Sequence, residues 1–202
     1  MRLEAKLAGF RYERNSWLFR NLNLEIHPGE VLGIVGPSGC GKTTLGRVLA
    51  GYERPHEGRI TLGGAALPSS GYRPVQMVFQ HPEKAVNPRW RLHRTLTEGW
   101  HPEPEFLRML GIREEWLHRW PNELSGGELQ RICIARALGP GTKYLICDEI
   151  STMLDAVTQA QIWHALLRIA KERNQGLVVI SHDQHLIRRL CDRVIEWGSL
   201  PD

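Results

Sequence analysis

The segment that most constrains this chain is a glycine-rich stretch between an apolar run and a helical pattern. It reads Gly36-Pro37-Ser38-Gly39-Cys40-Gly41-Lys42-Thr43 and fits G-x-x-x-x-G-K-[ST]. Glycines let successive backbone N–H groups turn toward phosphate oxygens, and the N-terminus of the following helix adds its positive dipole end. The stretch therefore predicts a phosphate-binding loop, with Lys42 neutralising phosphate charge and Thr43 binding Mg²⁺.

An acidic pair follows a second apolar strand. The run Tyr144-Leu145-Ile146-Cys147-Asp148-Glu149 ends in two consecutive carboxylates. Such a pair is weak evidence by itself, because acidic residues also favour helix N-termini. Beside a phosphate-binding loop it indicates nucleotide hydrolysis, since Asp148 can hold Mg²⁺ and Glu149 can act as the general base toward water.

Short apolar runs alternate with helical periodicity along most of the chain. This order predicts parallel β-α-β units, and therefore an α/β fold of the P-loop NTPase type with a mostly parallel sheet. One amphipathic helix should lie on the sheet through a stripe of residues three and four positions apart. The strands are expected at 30–35, 75–79, 143–147, 177–181 and 193–197, the helices from Lys42, about Ala156 and Gln184, and the stripe at Val157, Gln161, Ile162, Ala165, Leu166, Ile169 and Ala170.

Two regions depart from this alternation. Residues 3–12 and 22–26 alternate apolar and polar positions around a polar turn, which predicts an antiparallel hairpin in a small β subdomain. Between Gln80 and Glu123 the strand pattern gives way to helical pieces punctuated by proline, which predicts an inserted helical lobe. We expect a single domain over residues 1–202, with a core of 1–80 and 140–202 and a lobe of about 81–139.

The composition is that of a globular chain with a core. Of the 202 residues, 42% are hydrophobic and 24% charged, unlike a disordered chain. The apolar runs are too short to span a bilayer as a helix, and the N-terminus has no signal-peptide segment. The four cysteines lack disulfide or zinc spacing, and we interpret them as small buried hydrophobic residues. The formal net charge of +4 is compatible with nucleic acid, anionic lipid or a nucleotide as partner.

A third motif precedes a helical run near the middle of the chain. Ser125 and Glu128 have the spacing of a capping box, which an ordinary helix start would also show. The two glycines between them, Gly126 and Gly127, lower helix propensity without an evident structural gain. They expose backbone N–H groups at a helix N-terminus, which favours an anion site.

Taken together, these residues resemble the ATP-binding cassette (ABC) family, the nucleotide-hydrolysing subunits of ABC transporters. The resemblance covers nearly the whole chain and includes residues 124–131, Leu-Ser-Gly-Gly-Glu-Leu-Gln-Arg, which are similar to the family signature. Further matches are Gln80 for the Q-loop, Leu154-Asp155 for the D-loop, His182 for the switch histidine and Tyr12 for the aromatic residue that stacks on adenine.

The resemblance implies a role for each matched residue. Glu149, His182 and Gln80 are expected in catalysis, and Thr43, Gln80 and Asp148 at Mg²⁺. Phe10 is an alternative to Tyr12, while Gln80 and His182 each have a purely structural alternative. Residues expected to bind ATP are Tyr12, Gly36, Pro37, Ser38, Gly39, Cys40, Gly41, Lys42, Thr43 and Thr44, with Ser125, Gly126, Gly127, Glu128 and Asp155 from the signature and D-loop.

The resemblance also implies partners. In the family, the signature of one subunit covers the ATP on the phosphate-binding loop of another, so we expect a second ATPase subunit, identical or related, in a head-to-tail dimer. The runs 79–82, Phe-Gln-His-Pro, and 86–89, Val-Asn-Pro-Arg, are similar to the peptide and nickel importer branch. We therefore expect an importer of nickel, a metal chelate or a peptide, with two transmembrane permease subunits and an extracytoplasmic solute-binding protein, at the cytoplasmic face of the cell membrane.

A group of tryptophans marks a possible contact with the membrane subunits. This region has more tryptophans than the core of a small lobe needs, namely Trp90, Trp100, Trp116 and Trp120. We therefore expect some of them, with Arg89, to form a docking groove. Two other classes remain open. A soluble ABC-type ATPase acting on nucleic acid or ribosomes would fit the basic charge, but the chain has neither a second cassette nor a coiled-coil insert, and we expect no nucleic acid partner. A small-molecule kinase would leave the Ser125 to Glu128 motif and His182 unexplained.

Overall fold

Two β-sheets and six α-helices make up the part of the chain that this computed structural model describes, residues 1–14 and 16–198. No helix within that part is long and apolar enough to cross a membrane. The strands are β1 (Leu3–Glu13), β2 (Ser16–Ile26), β3 (Val31–Val35), β4 (Glu57–Leu62), β5 (Ala65–Ala66), β6 (Val75–Val78), β7 (Tyr144–Asp148), β8 (Gly176–Ile180) and β9 (Arg193–Glu196). The helices are α1 (Lys42–Leu49), α2 (Leu92–Leu96), α3 (Pro104–Met109), α4 (Gly126–Ala137), α5 (Ala156–Arg173) and α6 (Gln184–Leu190).

The larger sheet has five parallel strands in the order β6-β7-β8-β3-β9. Its three central strands are buried along their whole length, as expected for a sheet covered by helices on both faces. The predicted α/β fold with a parallel core is confirmed. The bounds of these five strands and the starts of α1, α5 and α6 agree with the sequence expectations to within one residue, whereas β2 begins at Ser16 rather than near residue 22.

The smaller sheet is antiparallel, in the order β2-β1-β4-β5. The expected hairpin is present as β1 and β2, with Leu3 opposite Ile26. The sequence analysis missed β4 and β5. Only the second half of β4 is buried, and its pairing is with β1, about fifty residues earlier, so its local pattern carries little strand signal.

The predicted stripe on α5 is wrong at its first two positions. Val157 is 66% exposed and Gln161 is also exposed, whereas the five positions from Ile162 to Ala170 are buried. The start of α5 lies beside α4, where the Gln161 side chain accepts a hydrogen bond from Arg131 at 2.8 Å. The stripe that rests on the sheet therefore begins at Ile162.

The tryptophans of the lobe do not form one cluster at the surface. Trp116 is buried in the core, and Trp100 donates its indole N–H to the carbonyl of Ala135 at 3.0 Å. Trp90 is half-buried beneath the Arg94 guanidinium, and Trp120 is 37% exposed beneath that of Arg91. Trp100, although bonded to Ala135, is half-buried like Trp90, so Trp116 is the one member of the group that is closed to an external partner.

The cysteines are only partly as expected. All four are free thiols. Cys133 and Cys147 are buried, but Cys40 and Cys191 are only half-buried. Cys40 is only half-buried because it lies in the glycine-rich loop rather than in a packed helix or strand.

Candidate active site

The carboxyl ends of β3, β7 and β8 meet at one edge of the parallel sheet, where ligands bind in open α/β folds. The glycine-rich loop follows β3, Glu149 follows β7, and His182 lies two residues beyond β8. Between them lies a cavity of about 420 Å³. It is lined by Ser38, Gly39, Gly41, Lys42, Thr43, Thr44, Gln80, Asp148, Glu149 and His182.

The loop needs glycine where its backbone turns. Gly39 and Gly41 have φ of +81° and +95°, in the region that favours glycine. A Cβ at Gly41 would also lie only 2.6 Å from Cγ of Leu18. Lys42, 8% exposed, crosses the loop from the start of α1 and donates from Nζ to the carbonyls of Gly36 at 2.8 Å and Pro37 at 2.7 Å. The ammonium is therefore held at the cavity by two neutral carbonyl acceptors. An anion can displace these carbonyls, because it is a stronger acceptor for the same ammonium.

Thr43 and Asp148 bring two hard oxygen donors together. The Thr43 hydroxyl donates to Oδ1 of Asp148 at 3.1 Å. Burial raises the pKa of Asp148, which is 4% exposed, and the Thr43 hydrogen bond lowers it in part. Within the described residues, Thr43 is the only hydrogen-bond donor to this carboxylate. A buried carboxylate beside a hydroxyl suits Mg²⁺, which prefers oxygen ligands.

Glu149 and His182 form a second pair in the same cavity. Nδ1 of His182 lies 2.9 and 3.0 Å from the two carboxylate oxygens of Glu149, and the backbone N–H of His182 also donates to Oε1 at 3.0 Å. Glu149 has a φ of +52°, which is uncommon for a residue with a side chain. Its backbone N–H donates to the carbonyl of Ile180 at 3.0 Å, which helps to hold this conformation.

Gln80 and Tyr12 lie at the periphery. Gln80 lines the cavity, and its Nε2 donates to the hydroxyl of Thr152 at 3.3 Å. The Tyr12 hydroxyl is 3.1 Å from that of Thr44, while 64% of Tyr12 is exposed. Phe10 is 3% exposed and packs edge-on against Tyr12, so the alternative that Phe10 stacks on a base is disfavoured.

The structure does not bring the signature residues to this cavity. A different cavity, of about 480 Å³, is lined by the signature and D-loop residues Ser125, Gly126, Gly127, Glu128 and Asp155. The predicted site residues therefore fall into two groups within one chain. The first surrounds the phosphate-binding loop, and the second surrounds the start of α4.

The start of α4 has the expected capping box. The N–H of Glu128 donates to Oγ of Ser125 at 3.3 Å, and the Glu128 carboxylate accepts from the N–H of Ser125 at 2.8 Å. A Cβ at Gly126 would meet no atom within 4 Å, whereas one at Gly127 would lie 3.1 Å from Cγ2 of Thr158. The chain itself thus gives a packing reason for glycine at 127 but none at 126.

Asp155 caps the helix that faces α4. Its carboxylate accepts from the N–H groups of Val157 and Thr158 at 3.0 Å each and from the Thr158 hydroxyl at 2.6 Å. The hydroxyl hydrogen bond is the main reason that the pKa of Asp155 is lowered. A charged carboxylate is therefore held beside the signature residues.

Sequence reasoning missed three residues that support the site. Thr152 holds Gln80, Leu18 packs against Gly41, and the indole of Trp197 donates to the carbonyl of Cys40 at 3.0 Å. Thr152 lies within the predicted acidic and D-loop segment, so its position was a usable signal. Leu18 lies in β2 and Trp197 directly after β9, both distant in sequence from the loop, and no local pattern marks them.

Comparison with known proteins gives consistent matches. A family model described as ABC transporter matches residues 19–152. The probable D,D-dipeptide transport ATP-binding protein DdpF of Escherichia coli K12 is 37% identical over 90% of this chain and 64% of its own length. The nickel import ATP-binding protein NikE of the same strain is 35% identical over 88% of this chain and 74% of its own. The chain thus spans less than two thirds of DdpF.

Solved structures agree with the fold. The dimeric bacterial ABC transporter cassette MJ0796 superposes with a TM-score of 0.80 at 25% identity, covering 96% of this chain and 94% of its own. The cassette cbiO1 of Clostridium perfringens, part of the ABC transporter complex cbiONQ, gives a TM-score of 0.78 at 26% identity, covering 97% and 85%. The fold is that of ABC ATPases.

Proposed function

This chain belongs to the ABC transporter family, and we propose that it is the ATPase subunit of an importer, in which ATP hydrolysis drives uptake of a small solute through separate membrane subunits. One observation carries the proposal. The phosphate-binding loop, the Thr43–Asp148 pair and the Glu149–His182 pair line the same cavity of about 420 Å³. Binding and hydrolysis of a nucleotide need these three parts together.

The loop binds the phosphates of ATP. Its backbone N–H groups and the N-terminus of α1 face the anion, and Lys42 exchanges its carbonyl acceptors for phosphate oxygens. Tyr12, exposed beside Thr44, offers its ring to the adenine. Thr43, Asp148 and Gln80 are the residues that hold Mg²⁺, which supplies charge neutralisation at the phosphates.

Glu149 is the general base. Its carboxylate lies in the cavity and is oriented by two groups of His182, so it can accept a proton from a water molecule directed at the terminal phosphate. His182 holds that carboxylate and, with its side chain 63% exposed, remains accessible to the phosphate. Gln80 lines this cavity, is held by Thr152 and immediately precedes the lobe, so it can relay changes at the site to the lobe.

Catalysis requires a second cassette, identical or related. The second group of site residues lines a separate cavity, with Gly126 open to the outside. A head-to-tail pair places this group over the nucleotide of the other subunit and completes two sites. The residues that act there are Ser125, Gly126, Gly127, Glu128 and Asp155. Gly126 and Gly127 offer their backbone N–H groups at the start of α4, and the capping box of Ser125 and Glu128 holds that helix start. The dimeric structure of the MJ0796 cassette supports such a pair.

The lobe, residues 81–139, is the part that contacts the two permease subunits. A cavity of about 570 Å³ lies between it and the sheet, lined in part by Tyr52, Tyr72, Phe79, Ala85 and Arg136. Arg89 and the Trp90–Arg94 stack are exposed or half-buried on the same lobe. These features suit a docked segment with an apolar face and acidic ends. The proposal therefore includes a location at the cytoplasmic face of the membrane.

The relatives indicate the class of solute. DdpF is named for D,D-dipeptide transport and NikE for nickel import. We therefore include nickel, a metal chelate and a short peptide as candidate solutes, delivered by an extracytoplasmic solute-binding protein. The alternative of an ATPase acting on nucleic acid or ribosomes is not favoured by these relatives.

Affinity capture tests the proposal. The tagged chain is recovered from detergent-solubilised membranes of its source cells, and co-purifying proteins are identified by mass spectrometry. We expect polytopic membrane subunits and a cassette partner. Arg89→Ala with Trp90→Ala should lose the membrane subunits, while Arg108→Ala, an exposed arginine of α3, should retain them. Recovery of only soluble proteins or RNA would contradict the transporter assignment.

A further inference from the structure

Trp197 lies where the end of β9 meets the glycine-rich loop. It is 3% exposed. Its backbone N–H donates to the carbonyl of Val35 at 2.6 Å, and its indole N–H donates to that of Cys40 at 3.0 Å. Trp197 is thereby bonded to the chain on both sides of residues 36–39.

The carbonyl oxygen of Trp197 also lies close to the loop. A Cβ at Gly36 would overlap this oxygen, and the Cys40 thiol is 3.8 Å from it. The indole is itself held edge-to-face on Phe19, with ring centroids 5.5 Å apart. A single buried residue therefore restrains the first and fifth positions of the loop.

These restraints matter because the loop is otherwise held by contacts that nucleotide binding would disturb. The hydrogen bonds from Lys42 to the carbonyls of Gly36 and Pro37 compete with phosphate for the same ammonium. The two residues whose carbonyls accept from Trp197, Val35 and Cys40, do not line the cavity. A loop with two glycines at positive φ has many conformations to lose on binding, so a permanent restraint lowers that entropic cost.

We propose that Trp197 is a positioning residue that holds the phosphate-binding loop in its binding conformation through the indole N–H bond to Cys40. The inference rests on the proposed function, since it requires that the loop bind ATP. Its effect falls on nucleotide affinity rather than on the chemical step. Glu149 and His182 are positioned by β7 and β8, and neither contacts Trp197.

The test compares two substitutions that each remove one indole hydrogen bond to a backbone carbonyl. Trp197→Phe removes the bond to Cys40 and retains an aromatic ring, while Trp100→Phe removes the bond to Ala135 in the lobe. For Trp197→Phe we expect Kd for both ATP and ADP to rise about 3- to 10-fold, the loss of one hydrogen bond, with kcat within about twofold of wild type. Trp100→Phe should leave both Kd values unchanged. Hydrogen exchange of residues 36–41 without nucleotide should be faster only in Trp197→Phe.

Three outcomes would overturn the inference. The first is that Trp197→Phe leaves nucleotide Kd and the hydrogen exchange of residues 36–41 unchanged. The second is that Trp197→Phe lowers kcat with KM unchanged, because that result indicates a general structural defect. Equal effects in Trp197→Phe and Trp100→Phe would also contradict it. Should Trp197→Phe not fold, Phe19→Leu removes the ring contact that orients the indole. It should therefore weaken the Cys40 bond and change both Kd values and the hydrogen exchange in the same direction, by a smaller amount. A wild-type chain that binds no ATP would instead refute the proposed function, and the inference with it.

Discussion

Nδ1 of His182 lies 2.9 Å from Oε1 of Glu149, and the backbone N–H of His182 donates to the same oxygen at 3.0 Å. The carboxylate after β7 is thus oriented by a residue after β8, although Glu149 has a φ of +52°. Two groups from a neighbouring strand give one carboxylate oxygen a fixed position. This arrangement suits a base that must act on a single, positioned water molecule.

Replacement of Glu149 by Gln should separate binding from hydrolysis. The amide keeps the size of the side chain but cannot accept the proton, so we expect phosphate release to fall on the order of 10²–10⁴-fold. ATP affinity should change little, and an ATP-bound pair of cassettes should accumulate. Phosphate release and ATP binding are measured on the same preparation. Unchanged turnover would remove Glu149 from the mechanism.

Replacement of Asp148 by Asn should stabilise the nucleotide-free chain while abolishing Mg²⁺-dependent hydrolysis. Burial raises the pKa of Asp148, so the ionised form costs stability at pH values above that pKa. We expect Tm at neutral pH to rise by up to about 3 °C, the shift that roughly 1 kcal/mol gives in a chain of this size. The advantage should vanish as pH falls through the pKa of Asp148, since the protonated carboxyl is also neutral.

Asp155→Asn is the matched control, because the pKa of Asp155 is lowered rather than raised. Its ionised form stabilises the chain above the unfolded-state pKa, so this substitution should lower Tm at neutral pH. A Tm change of the same sign in both variants, measured by calorimetry between pH 4 and pH 8 at about one-unit steps, would contradict the assigned directions.

The two glycines of the signature should respond differently to alanine. Gly126→Ala meets open space, so the isolated chain should keep or slightly gain stability, since alanine favours helix by up to about 1 kcal/mol. ATP hydrolysis should nevertheless fall at least about tenfold, because the added methyl enters the surface that covers the partner's nucleotide. Gly127→Ala should lower Tm, because its Cβ would lie 3.1 Å from Thr158. Full activity in Gly126→Ala would argue against the composite site.

Tyr144 joins the two sheets. Its hydroxyl accepts from the N–H of Leu3 at 3.2 Å, and its one proton is shared between the carbonyls of Met1 and Ile26, at 2.9 and 2.8 Å. Burial raises its pKa to about 12, so it stays a neutral hydroxyl under ordinary conditions. Tyr144→Phe removes the hydrogen-bond partner of these three backbone groups. It should lower the free energy of unfolding by about 1–3 kcal/mol and Tm by roughly 3–10 °C. Tyr52→Phe, at an exposed position, should leave Tm unchanged.

Local sequence predicted the parallel sheet because its strands are continuous apolar runs, and it predicted the phosphate-binding loop and acidic pair because their chemistry fixes residue types at fixed spacing. It did not predict β4, whose stability comes from pairing with distant β1. It placed Val157 on the sheet because periodicity does not show where the sheet ends. Trp197 was missed for a related reason, since its partner Cys40 is 157 positions away.

In the proposed mechanism, the phosphate-binding loop of one cassette and the signature of a second cassette bind the same nucleotide. Sedimentation velocity of the Glu149→Gln chain tests this most directly, with and without Mg²⁺-ATP, alone and mixed with any second cassette captured from membranes. We predict association to a pair only with ATP, abolished by adding Gly126→Arg to the same chain. A species of unchanged mass in every condition, or a pair that forms equally without ATP, would contradict the claim.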